Sequence, residues 1–205
     1  MRRFTRGFSA TLTSLVLGPA IILAAAIKPV QAQVAPLFEP HLSDIVANLP
    51  TGAIVRLPPR IWLSGPGHLN PEELVVTVLA SQHPQIVDIS LATCDRGIFP
   101  CLIGNIVLES RFSPNAQREL QRHKANGEPF TLAANIRGYL LEGPKQRPAY
   151  QFSSISWQQD DMIYTLNMPA NERQNLLIMA LEMAKSAPLR IGLAPSIPAS
   201  AVQPR

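Results

Sequence analysis

Apolar positions along this chain alternate over much of its length, the pattern of strands. Residues 73–80 (ELVVTVLA) are rich in valine and almost continuously apolar, as in a strand covered on both faces and placed centrally in a sheet. Val87, Ile89 and Leu91 then alternate with Asp88, Ser90 and Ala92, the period of two expected of a half-buried strand. Residues 103–109 predict a third strand. The longest alternation follows Pro129: Phe130, Leu132, Ala134, Ile136 and Leu140 share one face, with Thr131, Asn135, Arg137 and Tyr139 on the other. It predicts one long strand, with Gly138 on the apolar face as the place for a bulge or sharp coil. Residues 149–157 and 162–168 predict a hairpin across the polar loop Gln158-Gln159-Asp160-Asp161.

The period lengthens to that of a helix in three places. Leu42, Ile45 and Leu49 predict a short helix stopped by Pro50-Thr51-Gly52. Ser113-Pro114 supplies an N-cap and a proline at the first helical position, and Asn126-Gly127 a stop. The body between them is nearly all polar, so this helix is expected on the surface, held by Phe112, Ala116 and Leu120. Asn171 with Gln174 resembles a capping box, and residues 176–184 (LLIMALEMA) are apolar except for Glu182, so the last helix is expected to be buried on most sides. Met179 and Met183 then read as core filling rather than as a methionine-rich groove. The fold class is α+β: a mainly antiparallel curved sheet, one buried C-terminal helix and one polar surface helix. A single domain is expected over residues 51–187, preceded by the segment 33–50 and followed by a proline-rich flexible tail, 188–205. There is no internal repeat.

Charge changes the picture only once its position is considered. A net charge of +4 and a pI near 9.4 suggest an anionic partner. Yet four of the 18 basic residues, Arg2, Arg3, Arg6 and Lys28, precede Gln33 and none of the 14 acids does, leaving 14 against 14. Arg118 to Lys124 is the densest basic cluster and Glu119 interrupts it, so nucleic-acid binding is not expected. The early basic residues head a leader pattern: a basic start, an apolar stretch from Leu12 to Ile27 and Val30-Gln31-Ala32 before Gln33. Cleavage between Ala32 and Gln33 is expected, with export to the periplasm or beyond and no permanent transmembrane anchor, since Gly18-Pro19 interrupts an already short apolar run. Arg2-Arg3 raises a twin-arginine route, although Phe4 stands where that motif has a spacer.

Export bears on the only two cysteines, in Thr93-Cys94-Asp95-Arg96-Gly97-Ile98-Phe99-Pro100-Cys101. In an oxidising compartment such a pair reads first as a disulfide, with free buried thiols the alternative. Six intervening residues do not suit a redox pair, and His68 and His83 do not stand at zinc-finger spacing.

Signatures of catalysis are missing from the sequence: no Gly-x-Ser-x-Gly elbow, no His-Glu-x-x-His pair and no phosphate-binding Gly-x-x-x-x-Gly-Lys. His41, His68, His83 and His123 are scattered and read as surface residues. Glu72-Glu73 and Asp160-Asp161 are adjacent acids, which point to opposite faces of a strand or sit solvated in a loop. Ser64, in Trp62-Leu63-Ser64-Gly65-Pro66-Gly67, reads as a loop residue.

Ile155-Ser156-Trp157, Ile163-Tyr164-Thr165-Leu166, residues 177–184 and Ser186-Ala187-Pro188 together resemble the closing hairpin and helix of certain exported bacterial domains of unknown function. Those domains accompany sporulation and anti-sigma-factor proteins and look related to the curved half-barrel of lipoprotein carriers and periplasmic stress sensors. The resemblance covers residues 150–188 and implies a curved antiparallel sheet whose concave face receives helices or a lipid chain; it implies no catalysis. The expectation is therefore an exported, non-catalytic domain without cofactor or metal, binding a hydrophobic or peptide partner beneath the C-terminal helix. The alternatives are a hydrolase assembled from His83 with Asp88 or Ser64, and a structural component of an envelope assembly.

Overall fold

A computed structural model describes residues 33–50, 52–64, 69–95 and 101–190. The expected leader, its cleavage site at Ala32 and Gln33, His68, and the tail from residue 191 lie largely or wholly outside these residues. The elements in chain order are α1 (Leu42–Ala47, preceded by a 3-10 turn at Pro36–His41), β1 (Ile54–Val55), β2 (Val75–Gln82), β3 (Gln85–Ala92), β4 (Leu102–Ser110), α2 (Pro114–Asn126), β5 (Glu128–Ala133), β6 (Ile136–Leu141), β7 (Phe152–Gln159), β8 (Met162–Pro169), α3 (Arg173–Lys185) and β9 (Leu189–Arg190). Seven strands form one curved antiparallel sheet in the order β2-β3-β4-β8-β7-β6-β5, and β1 pairs with β9 in a small second sheet. The helix α2 carries the chain from the interior strand β4 to the far edge at β5.

The period of two gives this sheet two different faces. Register places Val87, Leu108, Tyr164, Trp157 and Gly138 in one row and Ile89, Ile106, Leu166, Ile155 and Leu140 in the next. On this inner face lie α3, through Leu176, Met179, Ala180 and Met183, and the N-terminal segment, through Phe38 and Ile45, all in one buried cluster. Trp157 and Tyr164 stack at its centre, ring centroids 5.1 Å apart and planes within 13°. Their polar ends are satisfied: Tyr164 Oη donates to the Ile54 carbonyl, and Trp157 Nε1 donates to Gln159, whose own amide donates to the Ala184 carbonyl at the end of α3. Gly138, beside Trp157 in the row, leaves room for Leu132, because a Cβ there would come within 2.8 Å of Leu132 Cδ1.

Several sequence expectations change. The almost continuously apolar strand is β2, and it lies at the edge of the sheet, not at its centre. Residues 130–140 form two strands, β5 and β6, because Ala134-Asn135 makes a tight turn; a two-residue turn reverses the alternation, but the extra residue of the bulge between Thr131 and Ala133 restores it, so Phe130 faces Gly138 and the hairpin shows the pattern of a single strand. The β7–β8 turn is two residues long, Asp160-Asp161, with Asp160 at φ 54°, and Gln159 is drawn into the interior. At α3 no side chain caps the first turn; a 3-10 turn at Ala170–Glu172 precedes it and Asn171 is exposed. Beyond α3, Leu189 and Arg190 pair with Val55 and Ile54, so the expected tail begins with a strand.

Cys94 and Cys101 form a disulfide across the β3–β4 connection, with Cα atoms 5.7 Å apart. Such a bond belongs to a non-reducing compartment. No helix among the described residues is long and apolar enough to cross a membrane.

Candidate functional site

The residues singled out for a hydrolase are not brought together. His83 sits in the β2–β3 turn, while Asp88 lies three residues along β3 from Gln85, roughly 10 Å further on. Asp88 receives both hydrogen bonds of the Asn105 amide, at 2.9 and 3.0 Å, and burial pushes its carboxyl above the usual carboxylate range against the pull of Asn105 and Ser90. Ser64 meets Glu172 and Asn175 instead. Its Oγ donates to Glu172 Oε2 at 3.1 Å, its main-chain N–H reaches both Glu172 oxygens, and Asn175 Nδ2 donates to Ser64 Oγ and to Glu172. This ring of bonds fastens the segment after β1 to the start of α3, where the Glu172 carboxylate also complements the helix dipole. Among the described residues no three His, Cys, Asp or Glu side chains lie within reach of one metal ion.

The sequence reading placed His123 on the surface, and the structure corrects this: its side chain is 0% exposed. Phe112, expected to anchor α2, is 74% exposed. Ala116 and Leu120 pack on Ile163 and Tyr139 from the outer face of the sheet, and His123 follows one turn later. Its Nδ1 lies 3.0 Å from the Glu119 carbonyl and 3.3 Å from Glu119 Oε1, and its Nε2 lies 2.7 Å from Ser154 Oγ on β7. A carbonyl only accepts, so Nδ1 carries the proton and Ser154 donates to Nε2. Burial lowers the His123 pKa, opposed by the Glu119 carbonyl and carboxylate, which favours this neutral form. The connectivity is that of a serine beside an oriented imidazole, but the helix that supplies the imidazole also covers the serine, and Ser154 is 8% exposed. The pair fastens α2 to the sheet.

A cavity of about 350 Å³ opens beside this fastening, on the outer face of β7 and β8. Ser154, Asn167 and Leu141 stand on its strands, Arg122 comes from the last turn of α2, and Gln146, Arg147 and Tyr150 come from the β6–β7 connection. A smaller cleft, about 220 Å³, lies among Leu37, Ile61 and Trp62 at the N-terminal segment. Beneath α3, where the sequence reading set a hydrophobic partner, the core described above fills the space.

The two edges of the sheet differ sharply. Strand β5 is guarded: it contains Glu128 and Pro129, its register shifts between Thr131 and Ala133, and Arg173 of α3 bridges Glu128 and Glu142. Strand β2 has eight residues, Val75–Gln82, with no charge and no proline. Leu79 is 60% exposed on its outer face. Among the described residues the outer main-chain groups of β2 join no ladder. Natural sheets usually protect such an edge with charge, proline, bulges, shortness or a covering loop; β2 has none of the first four, and the 3-10 turn Pro36–His41 lies against it without pairing with its main chain.

The class these features define is an α+β domain on one curved seven-stranded antiparallel sheet, filled on its inner face and closed by one disulfide. No family model, no curated protein and no solved structure matches the chain.

Proposed function

We propose that this chain is an exported partner-binding domain that accepts an extended peptide segment of another protein as an eighth strand along β2. The open, uncharged edge Val75–Gln82 carries the reading. An added strand takes its affinity from main-chain hydrogen bonds and its specificity from alternate side chains. On the outer side those side chains meet Val75, Thr77 and Leu79; on the inner side they meet Val76 and Val78, which pack on the core. The fitting segment is therefore apolar at alternate positions and without charge on that face. The disulfide supports a non-reducing setting, and export with cleavage after Ala32 is part of the proposal. So is the likeness of residues 150–188 to exported half-barrel domains; of the two fillings it implies, helices rather than a lipid chain agree with the packing of α3.

The test is selection of displayed peptides against the purified chain, followed by titration against Leu79→Lys. Residue 79 stands opposite Asp88 on β3, so a lysine there gains a cross-strand partner and the fold tolerates it. Selected peptides are expected to alternate in polarity and to lose roughly tenfold or more in affinity to the variant, about the effect of one anchor side chain. Peptides that bind both forms equally, or a selection that enriches nothing, defeats the reading. A homodimer that Leu79→Lys dissociates would make the occupant a second copy of the chain instead.

A further inference from the structure

The cavity beside α2 is separate from the β2 edge, and its lining has a definite chemistry. Two guanidinium groups, Arg122 and Arg147, border it, and no Asp or Glu does. Arg122 is shared with Glu119, to which it is paired within the helix. Arg147 is exposed and joins no ion pair among the described residues. The amides of Asn167 and Gln146 add neutral donors. Ser154 does not: its proton is directed to His123 Nε2, so it presents lone pairs, and an anionic head is steered toward the arginines. The other part of the lining is apolar. Leu141, Pro148 and Phe152 form it with the Tyr150 ring, whose centroid lies 5.8 Å from that of Phe152 at a 34° tilt. Gly143 lets the connection carrying Arg147 and Tyr150 lie close against β7, because a Cβ there would meet the main-chain oxygens of Phe152 and Tyr150.

We propose that this cavity binds a small organic carboxylate with a flat apolar body, its head between Arg147 and Arg122 and its ring against Tyr150 and Phe152. A volume of about 350 Å³ lies at the lower end of the range for small-molecule sites, which suits one ring and one head group. The planar fork of arginine matches a carboxylate through two parallel hydrogen bonds.

Calorimetric titration of the purified chain tests this with benzoate, with benzyl alcohol as the neutral counterpart and inorganic phosphate as an anion without a body. Benzoate is expected to bind, more weakly as ionic strength rises, and benzyl alcohol and phosphate to bind at least tenfold more weakly, as loss of a charged hydrogen bond or of the ring contact requires. Arg147→Gln, at an exposed position, is expected to keep the melting temperature and lose roughly tenfold in benzoate affinity; Tyr150→Ala is expected to weaken benzoate without changing phosphate. Equal binding of benzoate and benzyl alcohol overturns the anion preference. Equal binding of phosphate and benzoate overturns the role of the body. An unchanged titration in Arg147→Gln, or no binding of benzoate to the wild-type chain, overturns the site. None of these results bears on peptide binding at β2.

Discussion

Replacing Ser154 by alanine removes the only hydrogen-bond partner that His123 Nε2 has among the described residues while leaving the ring in place, 0% exposed. A buried acceptor left unsatisfied costs about 1–3 kcal/mol. The adjoining cavity can admit a water to the vacated position, which sets the expectation near 1 kcal/mol, or about 2–4 °C in melting temperature for a domain of this size. His123→Phe fills most of the same volume, loses the bonds to Ser154 and Glu119, and strands the serine hydroxyl against an apolar ring. Once both partners are apolar the second substitution costs little, so the double-mutant cycle is expected to give a coupling of about 1 kcal/mol. The pH dependence supplies an independent readout. His123 has a folded pKa below its unfolded value, which is about 6.5. Between the two values the unfolded chain binds the extra proton, so stability is complete above about pH 6.5 and falls as pH drops toward the folded pKa. His123→Phe lacks this loss, and its melting temperature should therefore approach that of the wild type on acidification from pH 7 to pH 5. Urea denaturation of the four proteins measures the coupling, and thermal melting at the two pH values measures the pH dependence. A coupling under about 0.3 kcal/mol with parallel pH profiles would refute the assignment of His123 and Ser154 as the fastening of α2.

Gly143→Ala forces a Cβ against two main-chain oxygens that cannot swing aside, so the connection must move; a loss of about 1–3 kcal/mol is expected, read as a lower urea midpoint at unchanged slope. Replacing Cys94 and Cys101 together by alanine opens a short loop, seven residues apart in sequence, and is expected to cost about 2.5 kcal/mol by the chain-entropy relation. Thermal melting of the oxidised wild type against the double variant checks this, and equal melting temperatures would contradict it.

How far the fold could be read in advance depended on whether one local pattern had one meaning. Ser113 was legible as an N-cap because cap chemistry is local: its Oγ accepts from the Ala116 N–H, and it donates to the buried Glu109. The burial of Leu176, Met179 and Met183 was legible because so apolar a helix has nowhere else to go. The β5–β6 turn was hidden because the bulge between Thr131 and Ala133 cancels the phase change of the two-residue turn Ala134-Asn135. His123 was misplaced because a polar helix shows no histidine-sized gap in its pattern; only the spacing Ala116, Leu120, His123 marked the buried stripe, and a histidine there had to be counted as apolar to see it. Its partner Ser154 belongs to a segment 31 residues away, a contact no local pattern encodes. For Ser64 the sequence correctly indicated a segment without regular structure, while its bonds to Glu172 and Asn175 depend on α3 folding back across more than a hundred residues.

The misreading of β2 has a different origin, and it bears on function. ELVVTVLA has the composition of a strand with neighbours on both sides and cover on both faces, yet among the described residues it has one neighbour, β3, and its outer face exposes Leu79. At the opposite edge β5 has the residues such a position calls for, Glu128, Pro129 and a register shift, so the chain protects an edge where it has one to protect. Central-strand chemistry at an edge is costly for a solitary molecule, because it invites pairing with any unfolded chain. Under the proposed function the conflict disappears. With an eighth strand in place β2 becomes internal, its outer main-chain groups are paired, and the nearly continuous apolar run lies where its composition suits it.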